Sequence, residues 1–408
     1  MQRRLFLPIL SILLAACSST PATPAPIPSL AAASPVVSAA DTSTPLAVAP
    51  NMPLPPPPDL PVVSSPALVH IDFQDAENGW GIAAGDGGSI LRTVDGGTTW
   101  LNVTPPGLTG IGYSTVLSLL NINTAWVLVP NVDFYTGLLY HTRDGGLTWT
   151  SNPVPFGGAF LQFLDPGTGR LLASRGVSLG SNSVEMYQTS DGGVTWLSVF
   201  NDDPARPDAS GSLPLSGIKN GMTFLDLNTG WVTGTRPVDG EVYLFVTHDG
   251  GVSWSRQDIP LPAGYGTYQY MPQAPVFFGS DGFLPLTVYL STTTEFTFYT
   301  THDGGTTWIG DPANASSMIA PGLYAFADLL HGWCWDGGTI LYATTDGAQT
   351  WGKISTSLDL GGRLSQMEFV SGTAGGFTGW ALTNMDDAGH SQLYRTTDNG
   401  ITWTSLIP

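Results

Sequence analysis

A motif of eight residues occurs seven times in this chain of 408 residues and limits its fold more than any other feature. With small variations it reads Thr, any residue, Asp, Gly or Asn, Gly, any residue, Thr, Trp, and successive Asp residues are 43 to 58 positions apart. A short motif at such a period indicates a repeat of small supersecondary units. The Asp residues are Asp95, Asp144, Asp191, Asp249, Asp303, Asp346 and Asp398, and the Trp residues are Trp100, Trp149, Trp196, Trp254, Trp308, Trp351 and Trp403.

Each copy predicts a turn between two β-strands. In the first copy a β-prone run ends at Thr93, and Asp95 with two glycines supplies the turn. The carboxylate can accept backbone N–H groups and so hold the turn, while the Trp buries a large apolar face. The second glycine, Gly97 in this copy, is expected at positive φ, where a Cβ is costly. The sixth copy has Ala348 at that position, and the same positive φ is therefore expected for Ala348.

A second repeated element precedes the motif in most units. It reads apolar, any residue, Phe, any residue, Asp, followed by Gly-Trp, as in Phe73 to Trp80 and Phe326 to Trp333. Each unit then has four strands, with the motif turn between the third and fourth. Seven such units predict an all-β fold, a seven-bladed β-propeller of four-stranded antiparallel blades over residues 67–408. Twelve of the 13 tryptophans lie at the two repeated positions, which indicates a role in blade packing.

The motif resembles the Asp box, or BNR repeat, of sialidases, sortilin-type domains and the photosystem II assembly-factor propellers. All seven repeats match, and the chain as a whole is most similar to the assembly factors. The resemblance implies an exported, sometimes lipidated and non-catalytic propeller whose Asp boxes are structural and lie away from the binding face. Those factors carry an arginine patch for their partners, and this sequence has no comparable cluster.

The N-terminus predicts export and lipidation. Residues 1–16 have a basic start, a short apolar core and small residues before Cys17, as in a secretory signal peptide. Leu14-Ala15-Ala16-Cys17 also resembles the bacterial lipobox, which implies cleavage before Cys17 and lipidation of its thiol; an ordinary signal peptide is the alternative. Residues 17–66 hold 14 prolines and two charged side chains, which predicts a disordered tether. The expected location is the bacterial cell envelope, anchored to the membrane and facing the extracytoplasmic side.

Charge restricts the partners. Residues 67–408 carry 11 Lys and Arg against 30 Asp and Glu, which argues against nucleic acid and against docking on anionic lipid. Membrane contact is therefore expected only through the lipid on Cys17. Cys334 is the other cysteine, and its place between two tryptophans predicts a buried apolar side chain. A monomer without cofactors is expected.

Long insertions point to one face of the propeller for function. If the Asp boxes lie on one face, the links between blades and between second and third strands lie on the other, and loops carry function more often than strands do. We expect a binding surface there. For the tyrosines the structural alternative is a loop that folds its aromatic side chains onto the blade below. For the acidic loop a cation is a further possibility, although the spacing matches no EF-hand. The candidate residues are Asp202, Asp203, Arg206, Asp208, Arg236, Tyr265, Tyr268 and Tyr270.

Catalysis has weaker support in the sequence. Sialidases use an arginine triad, a Tyr–Glu nucleophile pair and an Asp acid/base; Arg175, Arg236 and Arg363 could reach the loop-rich face, but the early Arg-Ile-Pro signature of sialidases has no counterpart. No nucleophile triad, zinc-ligand spacing or phosphate-binding glycine loop is present. The sequence therefore predicts a lipid-anchored, non-catalytic binding or assembly scaffold for a protein or glycan partner. The alternative is a sialidase-like or other glycoside hydrolase that uses the same face.

Overall fold

A computed structural model describes most of the region from residue 60 onward. The described residues are 60–85, 87–202, 205, 210–261, 265–290, 294–310, 323–358, 364–372, 375–387 and 389–407. The predicted signal peptide, Cys17 and the tether up to residue 59 lie outside them. In the described part, 29 strands form seven antiparallel sheets, and Tyr265–Thr267 forms a short 3-10 turn. No helix within these ranges has the length and hydropathy to cross a membrane.

Each sheet is one blade built from consecutive strands, which confirms the predicted fold class. Blade 1 has β1 (Val62–Val63), β2 (Leu68–Phe73), β3 (Gly79–Ala83), β4 (Ser89–Thr93) and β5 (Trp100–Asn102). Blade 2 has β6 (Val116–Leu119), β7 (Ala125–Pro130), β8 (Gly137–Thr142) and β9 (Thr150–Val154). Blade 3 has β10 (Ala159–Phe163), β11 (Gly169–Ser178), β12 (Ser181–Thr189) and β13 (Leu197–Asn201). Blade 4 has β14 (Ile218–Phe224), β15 (Gly230–Thr235), β16 (Tyr243–Thr247) and β17 (Ser255–Arg256).

The last three blades complete the ring. Blade 5 has β18 (Gln269–Pro272), β19 (Val276–Phe278), β20 (Asp281–Tyr289) and β21 (Thr294–Thr301). Blade 6 has β22 (Tyr324–Phe326), β23 (Gly332–Trp335), β24 (Leu341–Thr344) and β25 (Gly352–Ile354). Blade 7 has β26 (Leu364–Ser371), β27 (Phe377–Thr383), β28 (Leu393–Thr396) and β29 (Thr404–Ser405). The first strands lie innermost, and most of them contact the first strand of a neighbouring blade, as β6 contacts β10 and β26 contacts β2; β18 instead contacts β15 and β16 of blade 4.

Two blades depart from the predicted pattern. In blade 5, β18 and β19 both pair with β20, so the innermost strand is interrupted, and the outer strand is reduced to one bridge between Thr300 and Ile309. In blade 1, β1 adds a fifth strand outside β5, with Val62 opposite Leu101. The predicted domain boundary at residue 67 is therefore too late, because Val62 and Val63 already belong to a blade. Valine favours an extended backbone, and an unpaired outer edge is free to accept a strand.

The Asp-box turns join the third and fourth strands, as predicted. The Oδ1 atom of Asp95 accepts hydrogen bonds from Thr93 Oγ1 at 2.9 Å and Thr99 N at 2.9 Å, and its Oδ2 atom accepts one from Thr99 Oγ1 at 2.7 Å. The N–H of Gly97 donates instead to Thr93 Oγ1 at 2.8 Å. The expectation that the carboxylate itself holds several N–H groups was therefore partly wrong, because the first Thr of the motif takes one of them.

The second glycine of the box adopts positive φ in the six blades that have one, and Ala348 of blade 6 does so with φ of 65°. This confirms the prediction for Ala348. A left-handed residue with a Cβ costs about 1 kcal/mol or more. Ala348 is half-buried, and its methyl group packs against a cluster that contains Phe283 and Phe298. The packing of this methyl group offsets part of the backbone cost.

We expect Ala348→Gly to change the free energy of unfolding by less than about 0.5 kcal/mol, because relief of strain and loss of methyl packing nearly cancel. Gly97→Ala should destabilise by about 1 kcal/mol, since its new Cβ would also lie 3.1 Å from Leu393 Cδ2. Gly305→Ala should cost more than Gly97→Ala, because its Cβ would overlap Trp231. Urea denaturation of the three variants gives the ranking, and a larger loss for Ala348→Gly than for Gly305→Ala would contradict it.

Aromatic side chains join neighbouring blades. Trp126 of blade 2 stacks on Phe163 of blade 3 with ring centroids 3.6 Å apart, and its indole N–H donates to the Gly192 carbonyl at 2.8 Å. Trp380 of blade 7 stacks in the same way on Phe73 of blade 1. At these two seams the tryptophan of the second strand packs on the phenylalanine of the next blade and donates to the next Asp box, whereas the Trp80 indole donates to the Ile122 carbonyl. The predicted blade-packing role of the tryptophans is confirmed at these positions.

The ring closes between blade 7 and blade 1 without a shared strand. The Trp380 indole N–H donates to the Gly96 carbonyl at 2.9 Å, and Gln366 Oε1 accepts the N–H of Ile71 at 3.0 Å. A single buried cluster spans both blades and includes Leu68, Ile71, Phe73, Trp380, Leu393 and Ile407. Closure therefore depends on side chains and not on backbone pairing across the seam.

Cys334 lies in β23 and is 1% exposed, as predicted for a small apolar residue. Burial raises the pKa of its thiol to about 12. A thiol with so high a pKa is a poor nucleophile at neutral pH.

Candidate functional site

The face opposite the Asp boxes is the loop-rich face. In each blade the turn between the first and second strands lies beside the Asp box, which joins the third and fourth strands. In blade 1, for example, the N–H of Gly96 in the box donates to the carbonyl of Glu77 in the first turn at 2.7 Å. The connections between second and third strands and those between blades therefore lie on the other face. They include the loop 131–136, the tip of the β11–β12 hairpin and residues 210–217 of the link between blades 3 and 4.

The predicted acidic loop is only partly described, and its described member is buried. Asp203, Arg206 and Asp208 lie outside the described residues. Asp202 is 8% exposed, and its Oδ2 atom accepts the N–H of Val184 at 2.8 Å. The expectation of a surface carboxylate at Asp202 was therefore wrong, because the side chain turns inward beneath the link. Within the described ranges, no group of three or more His, Cys, Asp or Glu side chains is placed to hold a metal ion.

Lys219 lies next to Asp202 and ties the link to the β11–β12 hairpin. Its Nζ atom donates to the carbonyls of Asn182 and Pro214, each at 2.6 Å, and lies 4.0 Å from Asp202 Oδ2. Burial lowers the pKa of Lys219 to about 8 and raises the pKa of Asp202. Since the ammonium group is held by backbone carbonyls, its role is to fix the loop-rich ends of blades 3 and 4.

The predicted tyrosine surface is largely folded onto blade 5. Tyr270 is fully buried, and its hydroxyl donates to the Tyr265 carbonyl, so the prediction that Tyr270 is a binding residue was wrong. Tyr265 is half-buried, and its hydroxyl donates to Glu295 Oε2 at 3.0 Å. Tyr268 packs edge-to-face on Tyr265 at 5.5 Å. These side chains cover the apolar cluster of blades 4 and 5, which is the structural alternative considered for this loop.

The arginines of the loop-rich face are paired with glutamates. Arg175 Nε donates to Glu185 Oε2 at 2.7 Å, and a guanidinium nitrogen of Arg175 also contacts the Tyr187 hydroxyl. Arg236 Nη1 lies 3.2 Å from Glu241 Oε2. Burial alone would raise the pKa of Glu185, but hydrogen bonds from Ser198 and Arg175 outweigh it and hold the pKa below its usual value. Both guanidinium groups are thus paired with glutamates of the same chain, and Arg363 lies outside the described residues.

An exposed apolar surface on blades 2 and 3 was missed by the sequence analysis. The N–H of Gly158 donates to the Phe134 carbonyl at 3.1 Å, and the N–H of Ser174 donates to the Gly158 carbonyl at 2.9 Å, so the 131–136 loop and the hairpin form one surface. The unusual length of β11 and β12, ten and nine residues, was the available signal. We call this surface the blade 2–3 patch; its members are Val132, Phe134, Tyr135, Phe160, Val177 and Leu179.

The blade 2–3 patch has strained backbone and a depression. Among the described residues, five non-glycine residues have positive φ, and two of them, Phe134 and Leu179, belong to the patch. Leu179 is fully exposed, and Phe134 is 51% exposed. A cavity of about 220 Å³ opens between Phe160, Val177 and Lys219. Strained residues and exposed apolar side chains are each more frequent at binding surfaces than elsewhere.

Three titratable groups lie on the innermost strands at the closure seam. Burial raises the pKa of Glu368 well above its usual value and the Asp72 charge adds to this; burial also raises the pKa of Asp72 and lowers that of His70. Paired acids of this kind suggest a catalytic site at first sight. The Glu368 Oε2 atom, however, accepts the N–H of Phe73 at 2.9 Å. The equivalent residues in other seams make the same bond: Gln162 Oε1 accepts the N–H of Phe224, and Ser118 Oγ accepts the N–H of Phe163. The side chain at the Glu368 position therefore has a structural role, because it links the innermost strands of two blades.

Glu368→Gln is expected to flatten the pH dependence of stability. Because the pKa of Glu368 is raised in the folded protein, its contribution to stability is full below its unfolded value of 4.5 and is lost as pH rises toward its folded value. The matched change Gln162→Glu should introduce a similar loss in another seam. Urea denaturation between pH 4 and pH 8 gives both slopes, and equal slopes for Glu368→Gln and the wild type would contradict this account.

These observations define a class: the chain is an Asp-box β-propeller of seven blades. The sequence model of the photosynthesis system II assembly factor YCF48 family matches residues 58–213. The photosystem II assembly lipoprotein Ycf48 of Synechococcus sp. (strain CC9902) is 26% identical over 264 residues, which are 62% of this chain and 64% of that protein. The match thus spans less than two thirds of that relative. By sequence this propeller is similar to the photosystem II assembly factors.

Solved structures share the fold. YCF48 from Cyanidioschyzon merolae superimposes with a TM-score of 0.51 at 19% identity, over 82% of this chain and 96% of that one. A YCF48 bound to a D1 peptide gives a TM-score of 0.48 at 16% identity, over 87% of this chain and 97% of that one. At these identities the likeness concerns the fold.

Proposed function

We propose that this protein is an exported, lipid-anchored, non-catalytic propeller that binds a protein partner as an assembly factor. The blade 2–3 patch carries the proposal, because it places exposed Phe, Tyr, Val and Leu side chains on one surface of the loop-rich face. Large apolar side chains of this kind are anchors in protein interfaces. The similarity to an assembly lipoprotein supports the same function.

The partner's chemistry follows from the patch. Its members are aliphatic or aromatic, and the cavity beside Phe160 can take an apolar side chain. A glycan would call for polar groups around an aromatic platform, and the arginines of this face are already paired. A protein segment with exposed apolar side chains is therefore the favoured ligand.

Substitutions in the patch test the proposal. Leu179→Asp should abolish partner capture at unchanged thermal stability, because Leu179 makes its contacts with solvent in the free protein. Val252→Asp is the matched control, since Val252 is 50% exposed on the Asp-box face. A photo-crosslinker at Tyr135 should label the same partner in native cells. Equal capture by both Asp variants, or labelling that Leu179→Asp leaves unchanged, would contradict the proposal.

The glycoside hydrolase alternative is tested separately. Purified protein should not hydrolyse aryl-glycosides, including sialosides, because the Arg175–Glu185 pair leaves neither group free for substrate. Turnover that Glu185→Gln abolishes would establish a hydrolase and overturn the non-catalytic function.

Lipid anchoring is tested at Cys17. Cys17 follows Leu14-Ala15-Ala16, the pattern that precedes a lipidated cysteine. Cys17→Ser should move the protein from the membrane fraction to the soluble fraction. A variant that remains with the membranes would show that another contact holds the protein there.

A further inference from the structure

The seam between blades 5 and 6 contains a cavity on the Asp-box face. Its volume is about 680 Å³, within the range of ligand sites. Aromatic side chains of both blades line it, among them Phe283, Phe298 and Trp351, and the Asp281–His302 pair lies in its wall with Nδ1 and Oδ1 2.6 Å apart. This face has short, tight turns in every blade, so a cavity of this size calls for a specific cause.

Two large side chains that fill this space at the seams following blades 1 and 7 are absent here. The residue before the first Thr of the Asp box is Arg92 in blade 1 and Arg395 in blade 7, but Thr300 in blade 5. The second-strand position that holds Trp380 in blade 7 holds Phe283 in blade 5. Compared with the seams that follow blades 1 and 7, this seam lacks both the long cation and the indole, and the space that they occupy there is open.

Two seams show what this space can bind, one with an arginine at the third-strand position of blade 7 and one with an arginine at the second-strand tryptophan position of blade 3. Arg395 Nη2 donates to the Ala76 carbonyl of the next blade at 2.8 Å, and its guanidinium lies against Gly96. Arg170 Nη2 donates to the Leu227 carbonyl at 2.5 Å and lies close to Gly250. In both cases a guanidinium binds the carbonyl of the first turn of the next blade and covers the first glycine of its Asp box.

Within the described part of the chain, the equivalent groups in blade 6 have no such partner. The corresponding carbonyl belongs to Leu329, and no donor among the described residues reaches it. A Cβ added to Gly347 would meet one described atom within 4 Å, the Leu329 carbonyl oxygen at 3.0 Å. The Trp351 indole N–H also lacks an acceptor in the described ranges, whereas Trp403 donates to Gly400 at 2.9 Å. Both Leu329 and Trp351 line the cavity.

We propose that the cavity between blades 5 and 6 is a receptor for an arginine side chain of a partner protein. The guanidinium takes the place of the missing arginine, donates to the Leu329 carbonyl and stacks on the aromatic wall. The Asp281 carboxylate supplies a counter-charge at the rim, and the chain's net charge of −19 favours a basic partner. The Trp351 N–H is placed to donate to the partner's backbone. This site is independent of the blade 2–3 patch.

Titration of the full mature chain with three short peptides tests the proposal. The peptides are identical except for a central Arg, Lys or citrulline. The Arg peptide should bind at least about tenfold more tightly than the citrulline peptide, because charged hydrogen bonds are lost in the latter. The Lys peptide should bind more weakly than the Arg peptide, since an ammonium lacks the planar fork. Calorimetry gives the three constants.

Variants locate the binding. Thr300→Arg fills the cavity from within, as Arg92 and Arg395 fill theirs, and should abolish peptide binding without loss of stability. Thr150→Arg adds the same charge at an exposed strand position of blade 2 and should leave binding unchanged. Asp281→Asn should weaken binding several-fold, and it keeps the test decisive if Thr300→Arg does not fold.

Several outcomes would overturn the proposal. They are equal affinities for the Arg and citrulline peptides, no binding of the Arg peptide up to about 10 mM, and binding that survives both Thr300→Arg and Asp281→Asn. Displacement of the Arg peptide by a neutral oligosaccharide, with no preference for Arg over citrulline, would identify a sugar site instead. Because none of these variants touches the blade 2–3 patch, failure here is distinguishable from failure of the proposed assembly function.

Discussion

Trp380→Ala is expected to destabilise the propeller by about 3–5 kcal/mol, the usual cost of truncating a buried tryptophan. Trp380 is fully buried at the closure seam, stacks on Phe73 at 3.6 Å and donates to the Gly96 carbonyl at 2.9 Å. Its removal leaves a cavity in the cluster that joins blade 7 to blade 1 and leaves that carbonyl without its donor. Chemical denaturation followed by circular dichroism measures the loss.

Trp126→Ala is the matched control because Trp126 makes the same stack and the same hydrogen bond within the ring, to Phe163 and Gly192. The chain itself joins blades 2 and 3 and keeps their effective concentration high, whereas blades 7 and 1 have no such link. Hydrogen exchange should therefore reveal opening of β2 and β26 in Trp380→Ala, without comparable opening of β6 and β10 in Trp126→Ala. Equal local protection at both seams would show that closure is no weaker than an internal seam.

Asp95→Ala is expected to cost about 2–3 kcal/mol, more than Gly97→Ala, because hydrogen bonds to a charged acceptor are lost together. Its carboxylate accepts the bonds of Thr93 and Thr99 that hold the turn. Asp95→Asn should cost less, since an amide oxygen retains the bond to the Thr99 N–H. Urea denaturation at neutral pH measures all three variants, and a loss for Asp95→Ala no larger than that for Gly97→Ala would contradict this ranking.

The same carboxylate predicts acid lability. Burial alone would raise the pKa of Asp95, but hydrogen bonds from Thr99 and Thr93 outweigh it and lower the pKa. A lowered folded pKa gives stability that is present above the unfolded value and is lost as pH falls through the folded value. Since the pKa of every box carboxyl is lowered, the wild type should lose stability steeply in acid, and Asp95→Ala should lose less. None of these changes should affect binding at the blade 2–3 patch, which lies on the opposite face.

The sequence predicted the repeated parts of the fold well, because their chemistry is local. An Asp, two residues with positive φ and a Trp define the same turn wherever they occur, so even the unusual backbone of Ala348 followed from the pattern. The early strand at Val62 and the interrupted inner strand of blade 5 did not follow, since each depends on an edge or a neighbour that the pattern does not encode.

The candidate site was harder to predict. Residue type identified Asp202 and Tyr270 as surface groups, but the direction of each side chain depends on how its link folds. Asp202 turns inward toward Lys219, and Tyr270 turns inward onto the core of blade 5. Leu179 and Phe134 have ordinary apolar character in the sequence. The length of the β11–β12 hairpin places Leu179 outside the core, whereas Phe134 is exposed because it lies in the 131–136 loop between β7 and β8.

Closure by side chains has a consequence for the order of folding. The bond from Ile71 to Gln366 joins residues 295 positions apart, and Trp380, Leu393 and Ile407 complete the same cluster. Contacts of such separation form late, because they become available only after the intervening blades exist. Until blade 7 is in place, the facing surfaces of blades 1 and 6 leave apolar side chains in water. The incomplete propeller is thus an open arc with an exposed apolar surface at each end, and its solubility depends on how quickly those two surfaces pack together.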